Sequence, residues 1–377
     1  MNALALPLAG MLLAMLGELW VLSRHQRLTA GNPVQTEPWL EAIANLNSGH
    51  LVLWFFRGLE VAGYAWVWQH ARTSALAGWP LWAVALLAFV AWDFGFYWLH
   101  RLHHRIGLLW AVHAVHHQGE HFNLSLGIRN SWLSSLSSLP FFVPLALLGV
   151  PVEVFVAVSS LHYTVQFYNH CGLVERSGWL DRVMVTPAHH RIHHGANPEY
   201  IDKNFGGTLL VWDKLFGTFQ RPVPGVQIRY GIAGWRPSYN PLWLNLQPLL
   251  QWLGWHRAAQ LPRTPARPPQ RRDRALVVAG AVLLFANVVV AVHRQAPWPD
   301  AAQATLWAGL VLQTLALGSW SDGHGRAAWS LAAVGISLPL LQGLAFDQRD
   351  ALTLLPLLAM AAFSLLALST SWTRRAA

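Results

Sequence analysis

Residues 80–105 read PLWAVALLAFVAWDFGFYWLHRLHHR. For about twenty residues the stretch is apolar except at Asp93, long enough at 1.5 Å per residue to cross a hydrocarbon layer roughly 30 Å thick. It then turns abruptly into imidazole and guanidinium. His100 and His104 stand four residues apart, on one helix face and one turn above each other, so both imidazoles can reach one metal ion. A membrane-spanning helix that delivers metal ligands at its polar end sets the reading of the rest.

The composition agrees. Of 377 residues, 54% are hydrophobic and only 11% charged, against roughly 25% charged in an ordinary soluble domain. Disorder and coiled-coil character are excluded, as is a disulfide scaffold, because the single cysteine, Cys171, closes no bridge within the chain. A net charge of +9 points to nucleic acid in a soluble protein. Here 22 tryptophans accompany it, and the pair of features reads as arginines and indoles anchoring helices at a lipid interface.

Apolar runs of span length lie near 3–22, 51–69, 80–99, 131–149, 151–170, 275–293, 302–320, 327–346 and 352–372, which predicts about nine transmembrane helices and an all-α multi-pass membrane fold. Arg57 and Glu60 interrupt the second run and are spaced to pair on one face. Gly149-Val150-Pro151 leaves room only for a tight hairpin between the fourth and fifth. No positive charge precedes the first run and Arg24 and Arg27 follow it, the reverse of a signal peptide. With those arginines on the cytoplasmic side, nine spans put the amino terminus outside and the carboxyl terminus inside; only Arg72, Arg294 and Arg349 then fall in outer loops.

The chain divides into amino-terminal membrane helices (1–79), a histidine-rich core (80–220), a Trp-, Pro- and Arg-rich cytoplasmic linker (221–274) ending in PRTPARPPQRRDR at 262–274, and a carboxyl-terminal bundle of four membrane helices (275–377). Thirteen of the 19 histidines fall between His100 and His194. After His100 and His104 comes HAVHH, with His113, His116 and His117, and then HHRIHHG, with His190, His193 and His194 beside a spare His189. Each HxxHH group presents three nitrogens to one side of a helix. Eight imidazoles are enough for two ions, and neutral imidazole suits zinc, copper, iron and nickel alike. His170 shares a helical register with His162 and Gln166 and is a ninth candidate. Asp93, two turns deeper than His100, is expected to orient an imidazole N–H from outside the ligand set. Neither HExxH nor paired CxxC occurs, against a zinc protease or a structural zinc module.

The order HxxxH, HxxHH, HxxHH, with the lead-in WDFGFYWLHR at 92–101, resembles the fatty acid hydroxylase/sterol desaturase superfamily of membrane di-iron enzymes. TPAHHRIHHGANPEYIDKNFGGTLLVWDKLFGTF at 186–219, HHQGEHFNLSLGIRNS at 116–131 and QFYNHC at 166–171 are similar to its alkylglycerol monooxygenase branch. The resemblance implies two irons at the cytoplasmic ends of the spans, held by the same eight histidines, with O2 used to hydroxylate an unreactive C–H bond of a lipid: an alkylglycerol, fatty acyl chain or sterol. It makes 80–220 the catalytic core. In the eukaryotic branch the reductant is tetrahydrobiopterin, and the ether bond is cleaved through an unstable hemiacetal. That branch carries an acidic residue directly after the second histidine of HxxxH, where this chain has Arg105, so Glu120 or water takes its place or the substrate differs. The IDKNFGG segment is expected to turn over the site, with Asp202, Lys203 and Asn204 contacting ligands or a headgroup.

The expected activity is therefore an iron-dependent lipid monooxygenase with lipid, O2, an unspecified electron donor and the bilayer as partners, and no nucleic acid. Desaturation on the same centre, a membrane zinc hydrolase of lipid amides or esters, and a non-catalytic protein with metal-dependent structure are the alternatives.

Overall fold

The computed structural model describes residues 5–24, 38–235, 238–256, 271–294 and 297–373. Arg27, most of the 262–274 tract and the Arg374-Arg375 end lie outside them. The described residues form thirteen α-helices joined by turns, short 3-10 segments and one π-helical turn, Leu341–Ala345, and no strand beyond one isolated bridge, Met184 to Leu209. In order these are α1 (Ala5–Arg24), α2 (Pro38–Ala71), α3 (Leu81–Arg105), α4 (Gly107–His117), α5 (Ser134–Leu148), α6 (Val152–Asn169), α7 (Pro187–His193), α8 (Val211–Leu215), α9 (Pro241–Trp252), α10 (Arg271–Arg294), α11 (Asp300–Ser321), α12 (Ala327–Leu340) and α13 (Ala351–Thr373).

Five helical segments among the described residues are long and apolar enough to cross a membrane: Leu81–Arg105, Ala275–Arg294, Asp300–Ser321, Ala327–Ala345 and Ala351–Thr370. The run at 131–149 differs from expectation. Its first residues are drawn into a turn, where the Trp132 amide donates to Asn245 Oδ1 on α9 (2.8 Å). What remains is a 15-residue helix, about 22 Å long and short of the hydrocarbon thickness. It ends at Gly149, whose φ of +99° only glycine adopts without strain. The predicted hairpin to α6 follows, and α2 fastens it: Tyr64 donates to the Val150 carbonyl at 2.9 Å.

Two apolar cores result. One joins α2, α3, α5 and α6 around the fully buried Trp92, Tyr64, Phe142 and Phe155. The larger runs from α1 and α2 through α10–α13, so the carboxyl-terminal bundle packs directly on the amino-terminal helices. The charges inside these layers are paired, as burial requires. Arg57 Nη1 donates to Glu60 (2.6 Å) and to the Tyr163 hydroxyl (2.7 Å), while Ser138 donates to the other Glu60 oxygen (2.8 Å). Glu41 receives the amides of Glu120 and His121 and the His121 Nδ1 proton, at 3.0–3.1 Å. α2 thereby holds the loop after α4 in place.

Candidate metal centre

Four chain segments bring imidazoles to the end of α3. A single extended residue, Ile106 (φ −106°, ψ 119°), both ends α3 and starts α4, and it re-aims the chain so that His113 and His117 face back onto His100 and His104, while His116 turns toward His170 and α7. His170 caps the end of α6. The short α7 brings His190, His193 and, at its C-cap, His194. Thr186 and His189 close a capping box on this helix, and Pro187 fills its first turn. His189 is occupied there and joins neither ligand group.

The nine rings sort into two groups, His100, His104, His113, His117 and His193 in one and His116, His170, His190 and His194 in the other, each with its ligand nitrogens within 4.8 Å of one another. The groups adjoin, His117 stacking on His194 with centroids 4.5 Å apart. In the first, His100 Nε2 lies 3.0 Å from His113 Nε2, and His117 Nε2 lies 3.1 Å from those of His113 and His193. In the second, His170 Nε2 is 3.0 Å from His190 Nε2 and 3.2 Å from those of His116 and His194.

Main-chain carbonyls fix the tautomer of four rings, so the Nε2 atoms of His116 and His170 meet lone pair to lone pair. The His100 Nδ1–H donates to the Phe205 carbonyl (2.8 Å), His116 to Arg129 (2.7 Å), His170 to Gln166 (2.7 Å) and His193 to Lys203 (2.9 Å). With the proton on Nδ1, each Nε2 is an acceptor. The rings are also held neutral: burial, reinforced by neighbouring imidazoles, pushes His113, His117, His170, His190, His193 and His194 well below the usual histidine range. Burial likewise takes His116 down to about 4. Converging lone pairs repel unless a cation sits among them. A metal–nitrogen bond of about 2.0–2.1 Å puts ligands at right angles about 3.0 Å apart, which matches the observed edges. His104 Nε2 is buried without a hydrogen-bond partner, as such a ligand would be before binding. The donor set fits two metal ions, with four of the imidazoles oriented through their other nitrogen by main-chain carbonyls.

The predicted supporting residues fare differently. Asp202 does reach a candidate ligand: its Oδ1 is 3.5 Å from His104 Nδ1, and its Oδ2 is 3.2 Å from Arg105 Nη2. The carboxylate beside His104 is thus Asp202, tethered by Arg105, while Glu120 sits against Gly231 and gives its amide to Glu41. Asn204 donates to the carbonyls of His189 (3.1 Å) and Gln220 (3.0 Å), tying α7 to the following loop. Both residues have positive φ, +60° and +54°, which forms the expected IDKN turn. Asp93 is a correction. It accepts from the amides of Thr208 and Leu209 and from Trp212 Nε1, each at 2.9 Å, so three short donors take the carboxylate that was assigned to a ligand imidazole. The ring beside it is His162, 3.6 Å away, which is bound to Thr208 Oγ1 and the Phe89 carbonyl and is no ligand.

Two supports escaped the sequence reading. Asp213 accepts from the amides of Phe205 (2.7 Å) and Gly206 (2.8 Å) and from Thr218 Oγ1 (2.7 Å), fixing the peptide whose carbonyl orients His100. Arg129 threads between Val115 O, Asn45 Oδ1 and Gln118 Oε1 (2.6–2.9 Å) and so positions its own carbonyl under His116. The WDKLFGTF and GIRNS blocks held both residues, but no spacing rule marks an acceptor that acts through the backbone.

Fold and site together define a helical membrane protein with a buried polyhistidine centre. Residues 85–218 match the family model described as fatty acid hydroxylase. Among curated relatives, alkylglycerol monooxygenase of Xenopus tropicalis is 37% identical over 196 residues, 51% of this chain and 42% of that protein. The Homo sapiens protein of the same name is 35% identical over 54% of this chain and 45% of its own length. Ornithine lipid hydroxylase OlsE of Rhizobium tropici is 34% identical over 41% and 47%. The chain thus spans under half the length of these relatives. No solved structure matches it.

Proposed function

We propose that this chain is an iron-dependent membrane oxidoreductase that hydroxylates a C–H bond of a lipid with O2. The observation that carries the reading is the pair of histidine groups, whose ligand nitrogens converge within 4.8 Å of one another, a spacing that fits two cations. Bound there, two irons would supply the oxidising power that no side chain has. One oxygen atom would enter the C–H bond and the other leave as water, with two electrons and two protons from an external donor. Tetrahydrobiopterin is the donor that the resemblance implies.

This chain's own part is to position and to exclude. The carbonyls of Phe205, Arg129, Gln166 and Lys203 hold four rings in one tautomer. Burial keeps competing water away from the centre, and the turn at 202–207 closes one side. A lipid chain enters sideways from the bilayer, and the depth of the centre selects which carbon comes within the roughly 3–3.5 Å that reaction requires. We place the centre on the cytoplasmic face, with the amino terminus outside and the carboxyl terminus inside, a reading that the distribution of arginines supports.

Purified protein should contain about two irons per chain and consume O2 only with lipid and reductant. Bound zinc with turnover indifferent to O2 would overturn the proposal in favour of a hydrolase. Desaturation has its own support in the Delta(7)-sterol 5(6)-desaturase ERG3B of Gibberella zeae, 27% identical over 46% of this chain. Mass spectrometry of the product separates a gain of one oxygen from a loss of two hydrogens.

A further inference from the structure

Away from the metal centre, one face of the molecule takes no part in the chemistry. On α3 the exposed apolar side chains Trp82, Leu86, Val90 and Phe94 recur every fourth residue, a stripe that only lipid can cover along a membrane-spanning helix. The stripe does not stop at the polar end of α3. Phe94 packs edge-on against Trp212 (centroids 5.0 Å) and tilts against Phe216 (6.4 Å), which carries the surface across to α8.

There the apolar exposure continues. Leu215 is 66% exposed and Val211 48%, and in the neighbouring 3-10 turn Trp179 is 71% exposed and Val183 50%. The two pieces form one small platform. The Leu210 amide donates to the Val183 carbonyl (3.0 Å), the Val185 amide to Thr208 (2.9 Å), and Lys214 Nζ to the Arg182 carbonyl (2.7 Å). Its depth is fixed by α3. Asp93 holds Thr208, Leu209 and Trp212 at its own level, just over two turns, or roughly 12 Å, on the membrane side of Arg101. Cations edge the platform: Arg182 and Lys214 are exposed, and Lys214 and Arg221 lie 5.8 and 5.9 Å from the Phe219 ring.

We propose that the 178–183 turn and α8 form an in-plane foot that sinks Trp179, Val183, Val211 and Leu215 into the headgroup and upper acyl region of an anionic leaflet, while Arg182, Lys214 and Arg221 meet lipid phosphates. The occupant is the bilayer itself, because the patch is continuous with the lipid-facing stripe of α3 and is edged by charge of the sign that anionic headgroups attract. The foot does not depend on the proposed oxidation.

The test uses full-length protein in phosphatidylcholine nanodiscs with and without phosphatidylglycerol. Nitroxides are placed singly by Leu215→Cys, Trp179→Cys or Gln227→Cys in a Cys171→Ala background, and their relaxation by O2 and by a water-soluble nickel chelate is compared. Labels at 215 and 179 are expected about 5–10 Å below the phosphates, deeper with phosphatidylglycerol, and the label at 227 in water. Nickel access at 215 and 179 equal to that at 227 would overturn the foot. Equal depth in the two lipid mixtures would overturn the role given to the cations. The two labelled positions lie on separate segments, so a folding defect in one variant leaves the other to decide.

Discussion

Asp213→Asn tests whether the ligands are aimed by the backbone. The buried carboxylate accepts the Phe205 amide and Thr218 hydroxyl on one oxygen and the Gly206 amide on the other, at 2.7–2.8 Å. Asparagine keeps one oxygen, best turned toward Phe205 and Thr218, and must face its NH2 onto the Gly206 amide. An orphaned buried N–H costs about 1–3 kcal/mol, and loss of charge assistance on the remaining bonds adds about 1 kcal/mol. The peptide at 205–206 then shifts, and with it the carbonyl that receives the His100 proton. Loss of such outer support typically weakens metal binding 10–100-fold. The assay is iron retained against chelators of graded affinity, alongside thermal unfolding. Asp322→Asn is the matched control, since that buried carboxylate accepts Ser238 Oγ and the Tyr239 amide at 2.6 Å in the carboxyl-terminal bundle. It should lower stability without touching metal affinity. If Asp213→Asn holds iron within about twofold of the unaltered protein, well under the effect of a lost outer support, the backbone-aiming argument is wrong.

Three further outcomes follow from the geometry. His116→Ala and His100→Ala each remove a ligand from a different group, so each should lower metal content by about one ion per chain in elemental analysis, and equal loss of both ions from either change would show that the groups are not separate. Arg105→Ala breaks an exposed ion pair with Asp202 and should change unfolding free energy by no more than about 1 kcal/mol, whereas Asp202→Asn should weaken metal retention in chelator competition. Gly318→Ala would put a Cβ 2.6 Å from Pro241 Cδ and 2.7 Å from the Tyr239 carbonyl, costing about 1–3 kcal/mol by forcing α9 and α11 apart, with metal content unchanged.

The helical spacing of histidines was legible in the sequence because an i, i+4 pair is a statement about one turn of one helix. His100 with His104, His113 with His117, and His190 with His194 all share a group in space, and His170 joins them from the register of α6. What the sequence could not display is which group each ring enters. His116 and His117 are neighbours in the chain, yet they point to different groups, because consecutive residues on a helix diverge by about 100°. His162 shares the register of His170 but sits two turns away, beside Phe89 and Thr208, where no other ligand comes. Asp93 was legible as a buried charge in need of partners, but its partners are backbone amides of a loop more than a hundred residues away. Hydropathy marked apolar runs without showing that the residues before Ser134 are spent on a turn against α9.

Four imidazoles are oriented by main-chain oxygens, and a carbonyl is the same in every residue. Exchange of the amino acids that carry those oxygens therefore leaves the electron donation to each ring untouched, provided the chain keeps its path. The ligand field is insulated from drift in Phe205, Gln166 or Lys203, and selection for a different potential or a different substrate must work through the residues that bend the chain there, such as Asp213 and Asn204. A designer wishing to retune this centre should begin with those bends and leave the rings alone.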